Sequence, residues 1–240
     1  MSGPYERFAV SHVEDGVSNK ALDDSYRLRY EIYCLEEKFL PAQDYPDHSE
    51  IDNYDALSEH VFVHETIMNK VAGCARLVKY SKSYGLPTAD HFPELYNKLS
   101  GVPLTEMYEV SRLCIAPFFR KRLVPKDGLY GVESYLEENI APNPNGLPEQ
   151  RKYPIVLLLM LREMYRLTMK MGGNFWIASM EPGLIRYLSG CGMECVRLAE
   201  DYIEFYGKVI PCLFDLRKAI VRMSEKRPDI YDFFIYDIKL

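Results

Sequence analysis

The sequence predicts a single domain of the α/β or α+β class, and three observations support this. A chain of 240 residues with 48% hydrophobic residues can bury one sizeable core. Short alternating or β-branched runs, typical of strands, are interspersed with stretches of helical period. The sequence contains no internal repeat or low-complexity tract. We therefore expect one domain over residues 1–240, with helices around a central sheet.

The first half of the chain is predicted to contain a strand, a helix, a long loop and a hairpin. Residues 5–13 alternate weakly, and apolar positions of helical period follow from Ser18 or Asn19 to about Lys38. Proline and aspartate crowd residues 40–58, which predicts a loop of the kind that often binds ligands. Residues 60–80 form two alternating runs around a short turn, which indicates a hairpin.

The second half alternates helices and strands. Pro154 opens the longest predicted helix, 155–171, and Gly172-Gly173 ends it. A tail rich in Tyr and Phe begins at about residue 227 and is expected to dock on a surface or a partner. The other predicted elements are strands at 106–116, 174–180, 193–198, 202–206 and 209–213, helices within 87–99 and at 182–189 and 216–226, and a loop at 139–150.

Composition and charge exclude several classes of protein. A net charge of −6, from 29 basic and 35 acidic residues, does not give the positive field that nucleic-acid binding requires. The six cysteines lie in apolar runs without a Cys-x-x-Cys pair, which is typical of buried thiols in a reducing compartment. No stretch reaches the roughly 18 apolar residues of a membrane span, and the N-terminus has no apolar core. We therefore expect a cytoplasmic protein.

One predicted strand carries charge in an apolar setting. Between Glu109 and Ile115 most residues are apolar or β-branched, and Pro117 ends the run. Burial of Glu109 and Arg112 is unfavourable unless they are paired or take part in chemistry. Three residues apart, they would point to opposite faces of a regular strand, so only a bulge or a strand end would bring both to one cleft. The alternative to a functional role is a structural ion pair with another segment.

Charged motifs occur in a fixed order around this strand. An acidic cluster in the 40–58 loop is followed by an arginine at the end of a predicted strand, and then by a Glu-x-x-Arg motif. These motifs are Glu50-x-Asp52-x-x-Asp55, Arg76 and Glu109-x-x-Arg112. The order resembles that of the acyl-homoserine-lactone synthases and of their relatives, the N-acyl amino acid synthases.

Further motifs narrow the resemblance. Arg29-x-x-x-Tyr33 and Phe39 are similar to the arginine and aromatic residues at the start of this family, although lactone synthases usually have Trp at the last position. A sub-branch, the acyltransferases associated with exosortase (PEP-CTERM) systems, is more similar still. The segments that resemble it are residues 29–36, 111–113, 119–122 and 180–182. The resemblance covers roughly residues 20–215.

The resemblance implies a fold and a donor. The fold is that of the GCN5-related N-acetyltransferases (GNAT), with a central mixed, twisted sheet flanked by helices. The donor is an acyl thioester, and no permanently bound cofactor is implied. The residues that the resemblance places in substrate binding are Arg29, Tyr33, Phe39, Arg76, Ser111 and Arg112.

The acids supply candidates for a catalytic base. Amide formation from a thioester needs a deprotonated amine, a held carbonyl and a place for the oxyanion. Repulsion or burial among Glu50, Asp52 and Asp55 could raise the pKa of one of them, and Glu50 or Glu109 is our candidate for the base. A solvated acidic loop is the alternative for the first three acids. The sequence leaves open whether each of these acids acts as the base or binds the amino substrate.

The two motif arginines have two possible roles. The planar guanidinium groups of Arg76 and Arg112 are suited to bind the carboxylate of an amino acid with two hydrogen bonds. Equally, they could pair with Glu109, Asp52 or Asp55 and so shape the cleft. The two roles do not exclude each other.

A basic segment after the charged strand bears on the donor. Coenzyme A sites of this fold usually have a glycine-rich turn there, but residues 116–127 contain no glycine. An acyl carrier protein presents a single phosphodiester on an acidic surface, which a basic patch would attract. We therefore prefer acyl carrier protein over acyl-coenzyme A as donor and partner. The patch comprises Arg120, Lys121, Arg122 and Lys126.

Other potential sites are weaker. His60 and His64 lie on a predicted strand, about 13 Å apart along it, so we expect no metal site. Cys114 lacks a nearby histidine in sequence and is expected to be a core thiol, which favours direct acyl transfer without an acyl-enzyme. Six aromatic residues could line an acyl-chain tunnel: Tyr33, Phe39, Phe118, Phe119, Phe175 and Trp176.

The sequence therefore predicts an N-acyltransferase that moves a fatty acyl group from a carrier-protein thioester to the amine of an amino acid or a similar small molecule. One alternative is an acyl-homoserine-lactone synthase that uses S-adenosylmethionine. The other is a non-catalytic protein that senses acyl carriers or lipids.

Overall fold

The computed structural model describes residues 7–13, 20–120, 154–205 and 207–236. Their strands are β1 (Phe8–Val13), β2 (Ser58–Glu65), β3 (Lys70–Lys79), β4 (Met107–Ile115), β5 (Phe175–Met180), β6 (Val196–Arg197), β7 (Ile203–Glu204) and β8 (Lys208–Asp215). Their α-helices are α1 (Lys20–Tyr30), α2 (Leu95–Lys98), α3 (Ile155–Lys170), α4 (Pro182–Gly190), α5 (Leu216–Lys226) and α6 (Pro228–Tyr236). A π-helical turn, Glu31–Glu36, continues α1, and short 3-10 turns include Pro87–Asp90.

The strands form one mixed sheet. Its order is β1-β2-β3-β4-β5-β8-β6, and β7 pairs with β8 beside this path. Among the described strands every pair is antiparallel except β4 with β5. The predicted mixed α/β class with a central sheet is confirmed.

Helices cover both faces of this sheet because the strand residues alternate between two cores. On one face, Val61 and Ala75 belong to the larger core, to which α3 contributes eight buried apolar residues. On the other face, Phe62 and Cys74 pack with residues of α1 such as Leu28. Strands that are buried on both sides read as continuous apolar runs.

Most predicted elements are present, with three differences. The N-terminal helix changes to π geometry after Tyr30 instead of continuing to Lys38. The helix predicted within 87–99 is a 3-10 turn followed by the single turn of α2. The strands predicted at 193–198 and 202–206 are two residues each, as β6 and β7. The predicted loop at 139–150 lies outside the described residues.

The C-terminal tail is a helix that packs on the core. Pro228 occupies a first-turn position, and the apolar residues Ile230, Phe233 and Phe234 recur at helical spacing and are buried. Nη2 of Arg166, on α3, donates a hydrogen bond of 3.1 Å to the carbonyl of Phe234. The part of the tail up to Tyr236 is therefore a helix that packs on the core of its own domain.

A tight turn after α3 sets the start of β5. Gly172 adopts a left-handed φ of +77° at the end of the helix. A Cβ atom on the next residue, Gly173, would lie 2.4 Å from the Tyr108 ring and 2.6 Å from Thr168. Only glycine allows the turn to approach β4 this closely.

We predict that Gly173→Ala lowers the free energy of unfolding by about 1–3 kcal/mol, because the added methyl group overpacks a rigid ring contact. Denaturant unfolding measures the change. Gly190→Ala is the matched control, since a Cβ there meets nothing within 4 Å. Equal stability of the two variants would contradict the packing argument.

Candidate active site

A cavity opens where the two parallel strands at the centre of the sheet separate. Met107–Glu109 of β4 pair with Phe175–Ile177 of β5, and the pairing ends there although both strands continue. The cavity lies between the separated halves and has a volume of about 90 Å³, several times the space that one water molecule needs.

The cavity has polar and apolar walls. Its polar lining residues are Glu109, Ser111, Arg112, Ser179 and Glu181. Its apolar wall includes Leu161, Trp176, Leu184, Leu188, Met193 and Phe214. A ligand with a reactive polar end and an aliphatic chain would match this division.

A bulge in β4 places Glu109 and Arg112 on the same side. Arg76 of β3 faces Ser111 and Cys74 faces Cys114, so β4 has one extra residue between these pairs. Arg112 has a left-handed φ of +52° there, which is strained for any residue with a side chain.

The burial pattern agrees with this bulge. Tyr108 and Val110 face the larger core before it, whereas Leu113 and Ile115 do so after it. The strand alternation therefore shifts by one residue, and the condition that the sequence set for a shared cleft is met.

A closed ring of alternating charges lies behind the cavity wall. Three arginines and three acids each contact two members of opposite charge, so the formal charges cancel. Five of the six contacts measure 2.5–2.9 Å, and the sixth joins Arg76 and Asp52. The order around the ring is Arg29, Glu50, Arg112, Asp52, Arg76 and Asp55.

The ring is buried almost completely. Glu50 and Arg76 have no exposed surface, and Asp52 has the most accessible side chain of the ring, at 25%. Such charges are tolerated because each one is paired and hydrogen-bonded. Only Nη2 of Arg76 is buried without a hydrogen-bond partner among the described ring atoms.

The arginines keep two of the ring acids ionised. Burial alone would raise the pKa of Asp55, but the charges of Arg29 and Arg76 outweigh it and hold this pKa well below its usual range. Burial likewise opposes the effect of Arg76 and Arg112 on Asp52, whose pKa is still lowered. Carboxylates of this kind are poor proton acceptors.

Glu109 has the opposite environment. The residue is 1% exposed, and its hydrogen bonds come from Thr88 and not from the arginines of the ring. Burial raises its pKa to about 7, although hydrogen bonds from Thr88 and the charges of Arg76 and Arg112 partly oppose this. A carboxyl group with this pKa, at the wall of a cavity, is suited to exchange protons near neutral pH.

The predicted base candidates thus divide into two groups. Glu109 lines the cavity, whereas Glu50, Asp52 and Asp55 are not among its described lining residues. Both carboxylate oxygens of Glu50 accept hydrogen bonds from Arg112, and one also accepts from Arg29. We therefore retain Glu109 as the base candidate and regard Glu50 as the residue that positions Arg112.

The predicted substrate-binding residues also divide. Tyr33, Phe39, Ser111 and Arg112 line the cavity. The Arg112 guanidinium lies 5.8 Å from the centre of the Tyr33 ring. Arg76 stands behind Ser111, to which its Nε donates a hydrogen bond of 3.1 Å, and Arg29 lies in the ring.

Three of the six predicted tunnel aromatics lie elsewhere. Tyr33, Phe39 and Trp176 line the cavity. Phe118 is 67% exposed. Phe119 packs edge to face on Phe8, and Phe175 belongs to a separate small core.

One member of the predicted basic patch is buried. Arg120 is 7% exposed, and its guanidinium donates to both carboxylate oxygens of Glu36, at 2.8 and 3.0 Å, and to the Ile115 carbonyl. The charge of Arg120 is therefore paired within the fold, and Arg120 does not contribute to an exposed basic patch. Lys121, Arg122 and Lys126 lie outside the described residues.

The hairpin of β7 and β8 covers the cavity. Phe205 and Val209 line it. Phe205 stacks on His91 with ring centres 4.2 Å apart. A Cβ on Gly207 would lie 3.0 Å from the Phe39 ring, so glycine permits the close approach of the hairpin. These contacts fix the hairpin over the apolar wall.

Three residues of this region were missed in the sequence. Thr88 hydrogen-bonds to Glu109 from 21 positions away, and Phe205, which lines the cavity, directly follows the two-residue strand β7. Neither residue lies in a sequence motif that would have indicated a place at the site. Ser179 directly precedes the Met180-Glu181-Pro182 motif, which could have drawn attention to it.

No group of three potential metal-binding side chains occurs in the described part of the chain. None of the helices that the structure describes is long and apolar enough to cross a membrane.

Comparisons with known proteins identify similar sequences and folds. Residues 28–127, which include the whole charged ring and Glu109, match the family model "Acetyltransferase (GNAT) domain". The AHL synthase LasI has a similar structure, with 16% identity and a TM-score of 0.60 over 91% of this chain and 95% of LasI. A sequence comparison with curated proteins found no match.

Two other solved structures have a similar fold. BjaI, described as a CoA-dependent acyl-homoserine lactone synthase with SAM and isopentyl-CoA, is 17% identical, with a TM-score of 0.63 over 93% of this chain and 89% of BjaI. FeeM, an N-acyl amino acid synthase from uncultured soil microbes, is 10% identical, with a TM-score of 0.57 over 90% of this chain and 94% of FeeM.

These comparisons confirm the predicted GNAT-like fold, which is shared with acyl-homoserine-lactone and N-acyl amino acid synthases. Together with the domain match, they confirm the prediction of an acyltransferase. The association with exosortase systems and the cytoplasmic location remain predictions.

We predict that Asp55→Asn lowers the free energy of unfolding by about 3–5 kcal/mol, because it leaves buried guanidinium groups without a counter-charge. The low pKa values of Asp52 and Asp55 mean that the stability they contribute is present above about pH 4 and is lost as the pH falls below it. The variant should therefore show a weaker loss of stability in acid.

Denaturant unfolding between pH 3 and 8 measures both effects. Asp24→Asn is the matched control, because Asp24 pairs only at 3.9 Å with the exposed Arg27 and should change stability by less than about 1 kcal/mol. A variant of Asp55 as stable as this control would contradict the role of the ring.

Proposed function

We propose that the protein is an N-acyltransferase that moves a fatty acyl group from the thioester of an acyl carrier protein to the amine of an amino acid or a similar small molecule. The observation that carries this proposal is Glu109, a buried carboxyl group with a pKa of about 7 on the wall of a largely apolar cavity.

The chemistry follows from this placement. An amine is protonated near neutral pH and cannot attack a thioester until it loses a proton. Glu109 accepts that proton, and the free amine forms a bond to the thioester carbon while the thiolate leaves. Because Glu109 lies next to the parting of β4 and β5, the attack takes place where the cavity begins.

The apolar wall supports a fatty acyl group as the transferred unit. Side chains from two helices and a strand surround a narrow space, with Leu161 on α3, Leu184 on α4 and Phe214 on β8. Burial of each methylene of an acyl chain in such a space contributes about 0.8 kcal/mol. Acetyl transfer would leave most of this wall unused.

The position of Arg112 supports binding of an anionic acceptor or of the carbonyl group of the donor. Its guanidinium lines the cavity on the same side of β4 as Glu109, and Glu50 and Asp52 hold it in place. A fixed guanidinium group can bind the acceptor carboxylate or the thioester carbonyl.

The choice of donor rests on the segment after β4. A 3-10 turn, Pro117–Phe119, follows this strand, and residues 116–127 contain no glycine for a pyrophosphate-binding loop. Three cations, Lys121, Arg122 and Lys126, remain for an acidic carrier protein. BjaI, whose fold is similar, is described as CoA-dependent, so both donors belong in the assay.

The decisive experiment supplies purified protein with acyl carrier protein or coenzyme A loaded with chains of different length, together with pooled amino acids. Mass spectrometry identifies the products. An amide supports the proposal, and a higher kcat/KM with the carrier protein that falls steeply with salt supports the donor. Absence of acyl transfer to any amine would overturn the proposal.

A lactone synthase that uses S-adenosylmethionine is the second candidate. The fold similarity to LasI and BjaI favours it. Phe39, at the position where lactone synthases usually have Trp, is against it. Addition of S-adenosylmethionine to the same assay separates the two, because this candidate releases an acyl-homoserine lactone. A bound acyl chain without any product would instead indicate a non-catalytic protein that senses acyl carriers or lipids.

We predict that Glu109→Gln lowers kcat by about 10²–10⁴-fold while the fold is retained, because the amide cannot accept the proton. In the wild type, activity should rise with pH through about 7, as Glu109 loses its proton, and then level off. The variant should lack this rise.

Initial rates between pH 5.5 and 9, with circular dichroism to check folding, test this prediction. Glu163→Gln, on the outer surface of α3 beside His12, is the control. An unchanged pH profile in Glu109→Gln would remove Glu109 from the role of base.

We predict that Ala178→Leu shifts the preference to shorter acyl chains, because the larger side chain fills part of the cavity that Ala178 lines. Competition between mixed-length donors, followed by mass spectrometry, measures the shift. Ala9→Leu, at an exposed position of β1, should leave the product distribution unchanged. The same distribution in both variants would place the acyl chain elsewhere.

A further inference from the structure

We propose that the side-chain hydroxyl groups of Thr88 and Ser179 form a relay that carries the proton from the acceptor ammonium group to Glu109. This inference rests on the proposed function and adds two residues to its proton-transfer step.

The three side chains form a continuous hydrogen-bonded chain. Oγ1 of Thr88 donates to Oε1 of Glu109 at 3.0 Å and lies 2.9 Å from Oγ of Ser179. The backbone N–H of Thr88 also contacts both oxygens of Glu109, at 2.9 and 3.1 Å. The chain thus joins β4 to β5 through the 3-10 turn Pro87–Asp90.

The number of hydrogens fixes the direction of this chain. A hydroxyl group has one hydrogen and two lone pairs. Because Thr88 donates to Glu109, its oxygen accepts from Ser179, and the Ser179 hydrogen points to Thr88. The lone pairs of Ser179 are then available to a donor in the cavity, such as the N–H of an ammonium group.

Exposure explains why a relay serves the reaction. Glu109 is 1% exposed and Thr88 has no exposed surface. Ser179 is partly exposed and lines the cavity on β5. It lies two residues beyond the last paired position, Ile177, where the strands have separated. Ser179 can therefore reach a hydrated ammonium group without opening the site around Glu109.

The transfer balances as a shift of three hydrogens. An N–H bond of the ammonium group breaks as Ser179 gains its hydrogen, and Ser179 passes its own to Thr88. Thr88 passes its hydrogen to Oε1 of Glu109, which becomes a neutral carboxylic acid. The free amine then forms the C–N bond, the C–S bond breaks, and the second amine hydrogen leaves with the thiolate as a thiol.

The relay differs from a purely positioning role of Thr88. If Thr88 only held Glu109, its backbone N–H would provide most of that hold and Ser179 would be dispensable. A relay requires both hydroxyl groups, so removal of either one interrupts the same path and removal of both adds little.

The test uses the full chain with the best donor and acceptor from the product screen. Thr88→Val keeps the shape and the backbone N–H but removes the hydroxyl group, and Thr88→Ser restores it. The set is completed by Ser179→Ala, the double variant and Thr66→Val, a matched control at an exposed position. Single-turnover rates, their pH profiles and their dependence on the D₂O fraction are measured, with unfolding curves for each protein.

We expect Thr88→Val and Ser179→Ala each to lower the single-turnover rate by about 100-fold, and the double variant to be no slower than about the slower single variant. Thr88→Ser should recover most of the rate. In the wild type, we expect a plot of the single-turnover rate against the D₂O fraction to be curved, because several protons move in the same step. In Thr88→Val the plot should be linear.

Three results would overturn the relay: wild-type rates in Ser179→Ala, additive losses in the double variant, or the same D₂O dependence in all folded variants. Acyl transfer by the wild type separates these results from failure of the proposed function, in which no protein of the set forms an amide. If Thr88→Val unfolds, Ser179→Ala and Thr88→Ser still decide the outcome.

Discussion

The buried ring of three arginines and three acids is the interaction on which the site depends. It joins α1, the 50–55 segment, β3 and β4, which are distant in the chain. Charges in an interior are strongly unfavourable if they lose a partner, so the six groups keep their positions together. A ring that closes on itself leaves no net formal charge and few unpaired atoms, and it therefore makes a rigid wall.

This rigidity holds the strained backbone of β4. Arg112 has a left-handed φ that only a well-determined environment maintains, and its guanidinium is fixed by Glu50 and Asp52. The bulge at this residue turns Arg112 to the same side as Glu109. Beyond Glu109 the pairing of β4 with β5 ends, and the space between the strands becomes the cavity. The cavity therefore depends on the bulge in β4, and the bulge depends on the ring.

Two kinds of buried carboxyl group have different roles in this site. Asp52 and Asp55 face guanidinium groups, which lower their pKa values and keep them as structural anions. Glu109 is held by one threonine and is almost completely buried, and this burial raises its pKa towards neutrality. The same functional group is therefore an anchor in one place and a proton acceptor in another, because the local charges differ.

The sequence by itself determined the class of fold, most strands and helices, and the set of charged residues, because strand and helix periods and the motif order are local signals. It also indicated that Glu109 and Arg112 could share a cleft only at a bulge or a strand end. Only the tertiary structure decided which acid lines the cavity, that Arg120 is paired with Glu36, and that Thr88 and Ser179 adjoin Glu109. These outcomes depend on contacts between residues 21 to 91 positions apart, which no local period encodes. Burial and pairing, and hence protonation, arise only when such segments pack together.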